Sequence, residues 1–287
     1  MIDPRWRAAR RILAVRLDNL GDVLLMTPAL HAIKETLPEA TLTLLTSPVG
    51  AQAGRLDPDV DDVIVCEAPW VDPWQQLPHD SERERRLIAA LRARRFDAAV
   101  IFTSYRQSAL PAAYLCYLAD IPLRLAASID GPGSLLTTRH RHPDRPLHEV
   151  ERALDLVGAV GFATRQRDLI LRVPEEARAD VAARLGTLGL DGYPLVAVHP
   201  GCTMPARTYP PEGYAAIVTE LVEQLGAAVV LTGTDAEQPL LDTIWLQLGA
   251  VVRQQTRAFA GALSFAEFCA LIASADLAVT NNTGPMH

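Results

Sequence analysis

The sequence predicts an α/β protein of two Rossmann-like domains facing a cleft, and three observations carry that prediction. Strand-like apolar runs alternate with amphipathic helical runs along the chain, the series restarts after Val173-Pro174, and 287 residues is enough for about two domains. Strands of parallel sheets are buried on both faces and joined by covering helices, so they read as short apolar runs separated by helical periodicity. The domains are expected at residues 1–172 and 173–287.

In the first domain, strands are expected at Ile12 to Arg16, Thr41 to Leu45, Val63 to Val65, Ala98 to Phe102 and Leu123 to Ala126. Helices are expected at Ser81 to Arg95, with Leu87, Ile88 and Leu91 on one face, at Ser108 to Ala119 and at His148 to Val160. The loops Pro69 to Pro78, with Trp70 and Trp74, and Asp130 to Pro146 are long enough to serve function. The second domain reads as a charged helix from Glu175 to Leu188 and strands at Leu195 to Val198, Ala228 to Leu231 and Leu277 to Thr280, with Val251-Val252 as a weak fourth. Its further helices are Pro211 to Leu225, Glu237 to Leu248 and Ser264 to Ala273, the last opening on a Ser264-x-x-Glu267 capping box. The chain ends at Thr283-Gly-Pro-Met-His287, directly after a strand, which leads to the expectation of an incomplete second domain.

The richest segment is Ile12-Leu-Ala-Val-Arg-Leu-Asp-Asn-Leu-Gly-Asp22. It sets Asp22 where the first buried strand gives way to a helix, at the mouth of the crevice in which open α/β sheets bind ligands. Thr27-Pro28 forms a good N-cap and N1 pair, so the helix begins either near Asp22 with a kink or only at Thr27. A helix N-terminus beside Asp22 would make it a weaker base.

Composition excludes several classes. A net charge of −7 and a pI near 5.5 disfavour nucleic acid bound on a broad basic surface. No apolar stretch approaches the ~20 residues of a membrane span, and the Arg5, Trp6, Arg7, Arg10, Arg11 cluster reads as a solvated tail, with grazing contact at an anionic membrane face as the alternative. Cys66, Cys116, Cys202 and Cys269 lie far apart without CxxC spacing, as in a reduced cytoplasmic protein. GxGxxG, GxxxxGK[ST], GxSxG and HExxH are all absent, against a nicotinamide dehydrogenase, a P-loop enzyme, an α/β-hydrolase and a zincin. Arg139-His-Arg-His142 reads as a solvated loop, and no metal site is expected.

Three strand-end loops of the second domain together describe a diphosphate cradle. His199-Pro-Gly-Cys-Thr-Met-Pro-Ala-Arg207 carries Gly201, Thr203 and the fixed charge of Arg207; Thr232-Gly-Thr-Asp-Ala-Glu237 follows the next strand; Asn281-Asn-Thr-Gly-Pro-Met-His287 ends at a helix start whose free N–H groups suit a phosphate. Each has a plainer reading: a turn, a surface ion-pair arginine, a satisfied strand-end His199, and for Asp22 a helix cap.

Arg16-Leu-Asp-Asn-Leu-Gly-Asp22 with Thr27-Pro-Ala-Leu30, His148-Glu-Val-Glu-Arg152, His199-Pro-Gly201 with Arg207 and Pro210-Pro-Glu212, Phe259-Ala-Gly-Ala-Leu-Ser264, and Ala275 to His287 resemble, in combination, glycosyltransferase family 9. That family includes the ADP-heptose:lipopolysaccharide heptosyltransferases. The resemblance implies the GT-B fold, an amino-terminal domain for the acceptor and a carboxyl-terminal domain for the nucleotide-sugar donor. It implies an inverting, metal-independent transfer of a heptose-like sugar to a glycan or glycolipid such as lipopolysaccharide core, at the cytoplasmic membrane face of a bacterium, with a nucleotide-diphosphate sugar, for instance ADP-heptose, as substrate and no cofactor.

By the same resemblance Asp22 is the base and Arg207 faces the donor diphosphate, with Asn19 and His148 on the acceptor side. Gly201, Thr203, Thr232, Leu263, Asn282, Thr283, Gly284 and His287 fall on the donor side, and Glu237, or failing it Asp235, faces the ribose. One departure is Asn282, where many members carry Asp: an amide hydrogen-bonds but is no base. The alternatives to transfer are a GT-B-like nucleotide-sugar epimerase and a non-catalytic nucleotide-sugar-binding protein.

Overall fold

The computed structural model describes residues 2–71, 76–190, 192–202 and 204–287. They fold as two compact units, Met1–Arg172 and Val173–His287.

In the first unit, β1 (Arg11–Arg16), β2 (Thr41–Thr46), β3 (Asp62–Val65), β4 (Ala98–Ile101), β5 (Leu123–Ala127) and β6 (Thr138–His140) form one parallel sheet in the order β3-β2-β1-β4-β5-β6. Register is set at the centre by Leu13 against Thr43 on one side and Ala99 on the other. Five consecutive buried residues in β1 and again in β2 mark strands covered on both faces, with Arg16, Thr43 and Thr46 as their polar members. The order reverses between β1 and β4, so the loops leaving these neighbours part to opposite faces and open a crevice at their carboxyl ends.

Of the two alternatives for the helix after β1 the one that begins near Asp22 holds, and three local readings change. The segment after β1 forms a short helix, Leu20–Leu24, and then a separate helix, Thr27–Thr36. Thr27 does not cap it: Met26 precedes the helix, and the buried Thr27 hydroxyl donates to the Leu24 carbonyl and accepts the Ile170 N–H. The amino terminus is not a solvated tail, because Asp3 caps the turn Pro4–Arg7 and Trp6, 0% exposed, packs edge-on against Phe162 at 6.0 Å. Trp6 is therefore a core residue with no surface to offer a membrane. Nor is Arg139 to His142 a solvated loop, since β6 runs through it beside β5. Of the expected loop Pro69 to Pro78, Trp74 lies outside the described residues, while Trp70 and Val71 pack on the core beneath β4.

In the second unit, β7 (Leu195–His199), β8 (Ala228–Gly233), β9 (Thr256–Ala260) and β10 (Leu277–Thr280) form a parallel sheet in the order β10-β7-β8-β9. The helices Pro211–Leu225 and Gln238–Gln247 cover one face; Glu175–Thr187 and Phe265–Ser274 cover the other. The weak strand at Val251-Val252 is instead the helical turn Ala250–Gln254, whose Val252 points into the core. The strand, β9, lies a few residues on, where Thr256 to Ala260 pair with Val229 to Gly233 of β8. Here the strand order reverses between β7 and β10. Among the described residues no helix is long and apolar enough to cross a membrane.

Candidate active site

At the crevice of the first unit, β1 delivers Arg16 to its last position, where the guanidinium is 4% exposed. A cation this deep requires anionic partners. Arg16 Nε lies 2.9 Å from Asp18 Oδ2, and Nη2 donates to Asp22 Oδ1 at 2.8 Å and to Ser104 Oγ at 2.7 Å. Ser104, from the loop after β4, can send its single proton to Asp22 Oδ1 at 3.1 Å or to Asp18 Oδ2 at 3.3 Å. Gln107 closes the ring, donating to Asp18 Oδ1 and accepting from the Ser104 N–H.

Asp22 is the partly open carboxylate of this group, with 23% of its side chain exposed against 7% for Asp18. As the third residue of the helix Leu20–Leu24, it accepts the Asn19 N–H on Oδ2 at 3.1 Å. Asp22 therefore both caps the helix start and lines a pocket. One oxygen is fixed by Arg16 and Ser104, the other by the helix start, and Asp22 lines a small pocket together with Arg16, Met26, Phe102, His142, Glu149 and Arg152. Asn19 enters through its backbone, and its side chain is exposed. His148 is likewise exposed, and its Nδ1 accepts the Val150 N–H to cap the helix Glu149–Gly158. It does not line the pocket; its neighbours do. Burial raises the Glu149 carboxyl, an effect Arg152 at 3.4 Å opposes and the Asp22 charge adds to.

Sequence reasoning passed over Arg16, Ser104, Glu149 and Arg152 as site residues. For Arg16 a signal existed, a charge closing an otherwise apolar strand. Ser104 carried none, since it joins Asp22 only through the adjacency of β1 and β4.

The second unit gathers its residues at the ends of β7, β8 and β10. Gly201 follows β7 with no room for a side chain, since a Cβ there would stand 2.0 Å from Glu237 Oε1. Glu237 is held in turn by the Thr234 N–H at 2.7 Å and the Thr234 hydroxyl at 3.0 Å. Gly261, at φ +59°, has Asp235 against it in the same manner. Only glycine meets both demands at that position. Thr232 is buried rather than open to a ligand: its hydroxyl lies 3.0 Å from His199 Nδ1. Burial lowers the His199 imidazole, with Glu237 opposing, and the ring stands edge-on to Phe268.

Asn281, which sequence reasoning left without a role, joins two of the loops. Its buried side chain donates to the Pro200 carbonyl at 2.7 Å and accepts the Tyr209 N–H at 3.0 Å. The terminal turn corrects one expectation, because the amides of Thr283, Met286 and His287 are not free but bond to Asn281, Thr283 and Gly284 carbonyls. Asn282 is exposed beside them, and Leu263 packs half-buried with Phe259 on the unit's core. Arg207 closes the short turn Pro205–Arg207 with its guanidinium exposed and no ion pair among the described residues. Thr203 lies outside the described residues.

A carboxylate thus lies at one switch point, and small-residue turns with Arg207, unpaired among the described residues, lie at another. The chain belongs to glycosyltransferase family 9, the heptosyltransferase family, whose model matches residues 84–287. It is 24% identical over 287 residues to lipopolysaccharide heptosyltransferase 2 of Salmonella typhimurium, covering 96% of this chain and 78% of that protein. Among solved structures it is similar to a family 9 glycosyl transferase of Veillonella parvula, at a TM-score of 0.79 and 20% identity, covering 97% of this chain and 76% of that one. It is also similar to the ADP-heptose lipopolysaccharide heptosyltransferase II of E. coli, at 0.75 and 21%, covering 96% and 80%. The fold is accordingly GT-B, with its two parallel sheets.

Proposed function

We propose that this chain is an inverting glycosyltransferase that moves a heptose-like sugar from an ADP-linked donor to a lipopolysaccharide-core type of acceptor at the cytoplasmic membrane face. The observation that carries this reading is Asp22, fixed by Arg16, Ser104 and the Asn19 N–H yet open to a pocket. The substrate class is supported by the likeness to the Salmonella and E. coli heptosyltransferases.

In the proposed reaction the acceptor hydroxyl attacks the anomeric carbon, the bond from that carbon to the diphosphate oxygen breaks, and Asp22 takes the hydroxyl proton. Asp22 accepts the proton late, when the nucleophile has become acidic. The leaving diphosphate gathers negative charge, which Arg207 and the Gly201 and Gly284 turns stabilise without a metal. Glu237, fixed by Thr234, addresses the donor ribose.

The test is a thermal-shift comparison of ADP-, UDP-, GDP- and dTDP-sugars followed by product analysis. A donor at about 100 times its Kd adds about 2.7 kcal/mol to stability. An ADP-sugar is expected to raise the melting temperature most and to yield an inverted glycoside with acceptor. Stabilisation by another nucleotide alone, or donor turnover without transfer, refutes the reading.

A further inference from the structure

At the edge of the pocket, which His142 itself lines, β6, the segment just after it and the helix Glu149–Gly158 bring three ligating side chains together. His140 Nε2 and His142 Nδ1 each lie 2.7 Å from the same oxygen, Asp155 Oδ2. The two rings stand edge-to-face, 5.0 Å apart at 84°. Two imidazoles thus converge on one carboxylate from different directions, and all three ligand atoms lie within 4.8 Å of one another. Each residue is half-buried. The sequence spacing, alternate residues leaving a strand plus one acid on the next helix, is invisible as a motif because the third member comes from packing.

We propose that His140, His142 and Asp155 form a zinc-type divalent transition-metal site with one open coordination position. Ligand chemistry supports it: two imidazoles and a carboxylate are a familiar three-residue set for such a cation, with bonds of about 2.0–2.2 Å. Tetrahedral ligands around it stand about 3.3 Å apart, so Asp155 Oδ2 has to draw back from each ring nitrogen by about half an ångström. The partly exposed Asp155 can supply that movement. One ring nitrogen of each histidine faces Asp155 Oδ2, and binding a cation there requires that nitrogen to be free of its proton. Burial keeps His142 below the usual imidazole range, which favours the neutral ligand. Burial alone would raise Asp155, but the two imidazole hydrogen bonds outweigh it and keep the carboxylate charged.

Charge limits the affinity. With neutral rings the ligands carry one negative charge, and Arg152, one turn along the helix, opposes a cation although Glu149 offsets it at 3.4 Å. A micromolar site is expected. A cation here would clamp β6 to the helix whose Glu149 and Arg152 line the pocket beside Asp22.

The experiment uses the full chain stripped of metal with a chelator. Zn2+ titrated by calorimetry is expected to bind at one equivalent and to raise the melting temperature by several degrees at saturation. Co2+ is expected to give visible ligand-field bands. His142→Ala and Asp155→Asn, checked for folding by circular dichroism, should each weaken Zn2+ binding by about tenfold or more. His31→Ala, which removes the imidazole facing Asp59 and Glu35, should leave it unchanged. No saturable binding below about 1 mM Zn2+, parent-like affinity in either cluster variant, or loss in His31→Ala overturns the proposal. The readout is metal binding, so it stands apart from whether the chain transfers a sugar.

Discussion

Replacing Asp22 with Asn tests the central reading at nearly constant volume. The amide oxygen can take over Oδ1 and accept from Arg16 Nη2 and Ser104, which turns the amide nitrogen toward the Asn19 N–H that Oδ2 accepted. One helix-start hydrogen bond is lost, a cost of about 1 kcal/mol. The weakened ion pair adds little, because Asp22 is partly exposed and Arg16 keeps Asp18 at 2.9 Å. The fold should therefore survive. The proton acceptor does not, so turnover should fall about 10²–10⁴-fold, or about 3–5 kcal/mol of transition-state stabilisation. Donor affinity should change by less than about threefold, since the donor is assigned to the other unit. Steady-state release of ADP from an ADP-heptose donor with acceptor, set beside the thermal shift with donor alone, separates the two effects. Turnover within about threefold of the parent in a folded variant that still binds donor would remove Asp22 from this role.

Two further changes probe the second site and the pH response. Gly201→Ala places a Cβ 2.0 Å from Glu237 Oε1, so the carboxylate must swing out and release Thr234. Donor affinity is expected to fall about tenfold, with about 1 kcal/mol lost in stability; unchanged donor binding would separate Glu237 from the nucleotide. Burial pushes the Asp57 carboxyl up to about 7 from its ordinary 3.8, and its Oδ2 is buried without a partner. Because the folded form holds this proton more tightly than the unfolded one, the contribution is complete below about pH 4 and lost as pH rises to about 7, at a cost of up to about 4 kcal/mol. Asp57→Asn should be the more stable form at about pH 8 by urea denaturation and match the parent near pH 4; a parallel pH dependence in both would show that another group sets it.

How far the site was legible depends on whether its parts lie close in sequence. Asp22 follows from the strand, turn and helix grammar of one short segment, and the glycine turns of the second unit follow from strand ends. The Arg16 to Ser104 contact joins residues 88 apart, and Asp155 reaches His140 and His142 only because β6 packs where its helix lies. The Arg139 to His142 segment was misread for that reason, since a strand of three residues shows no periodicity of its own and is defined by its neighbour β5. Val251-Val252 failed in the opposite way. Their β-branched character suits a strand, but Val252 serves the core better from a helical turn.

The sequence by itself determined the alternation of strands and helices, the restart after Val173-Pro174 and the presence of a carboxylate at the first strand's end, because apolar periodicity and turn chemistry are local properties of the chain. Only the tertiary structure decided which groups hold that carboxylate, which glycines have no space for a methyl group and which histidines share an acid. Those depend on which strands become neighbours, and burial of a charge such as Arg16 is tolerable only where packing brings its counter-charges within hydrogen-bonding distance.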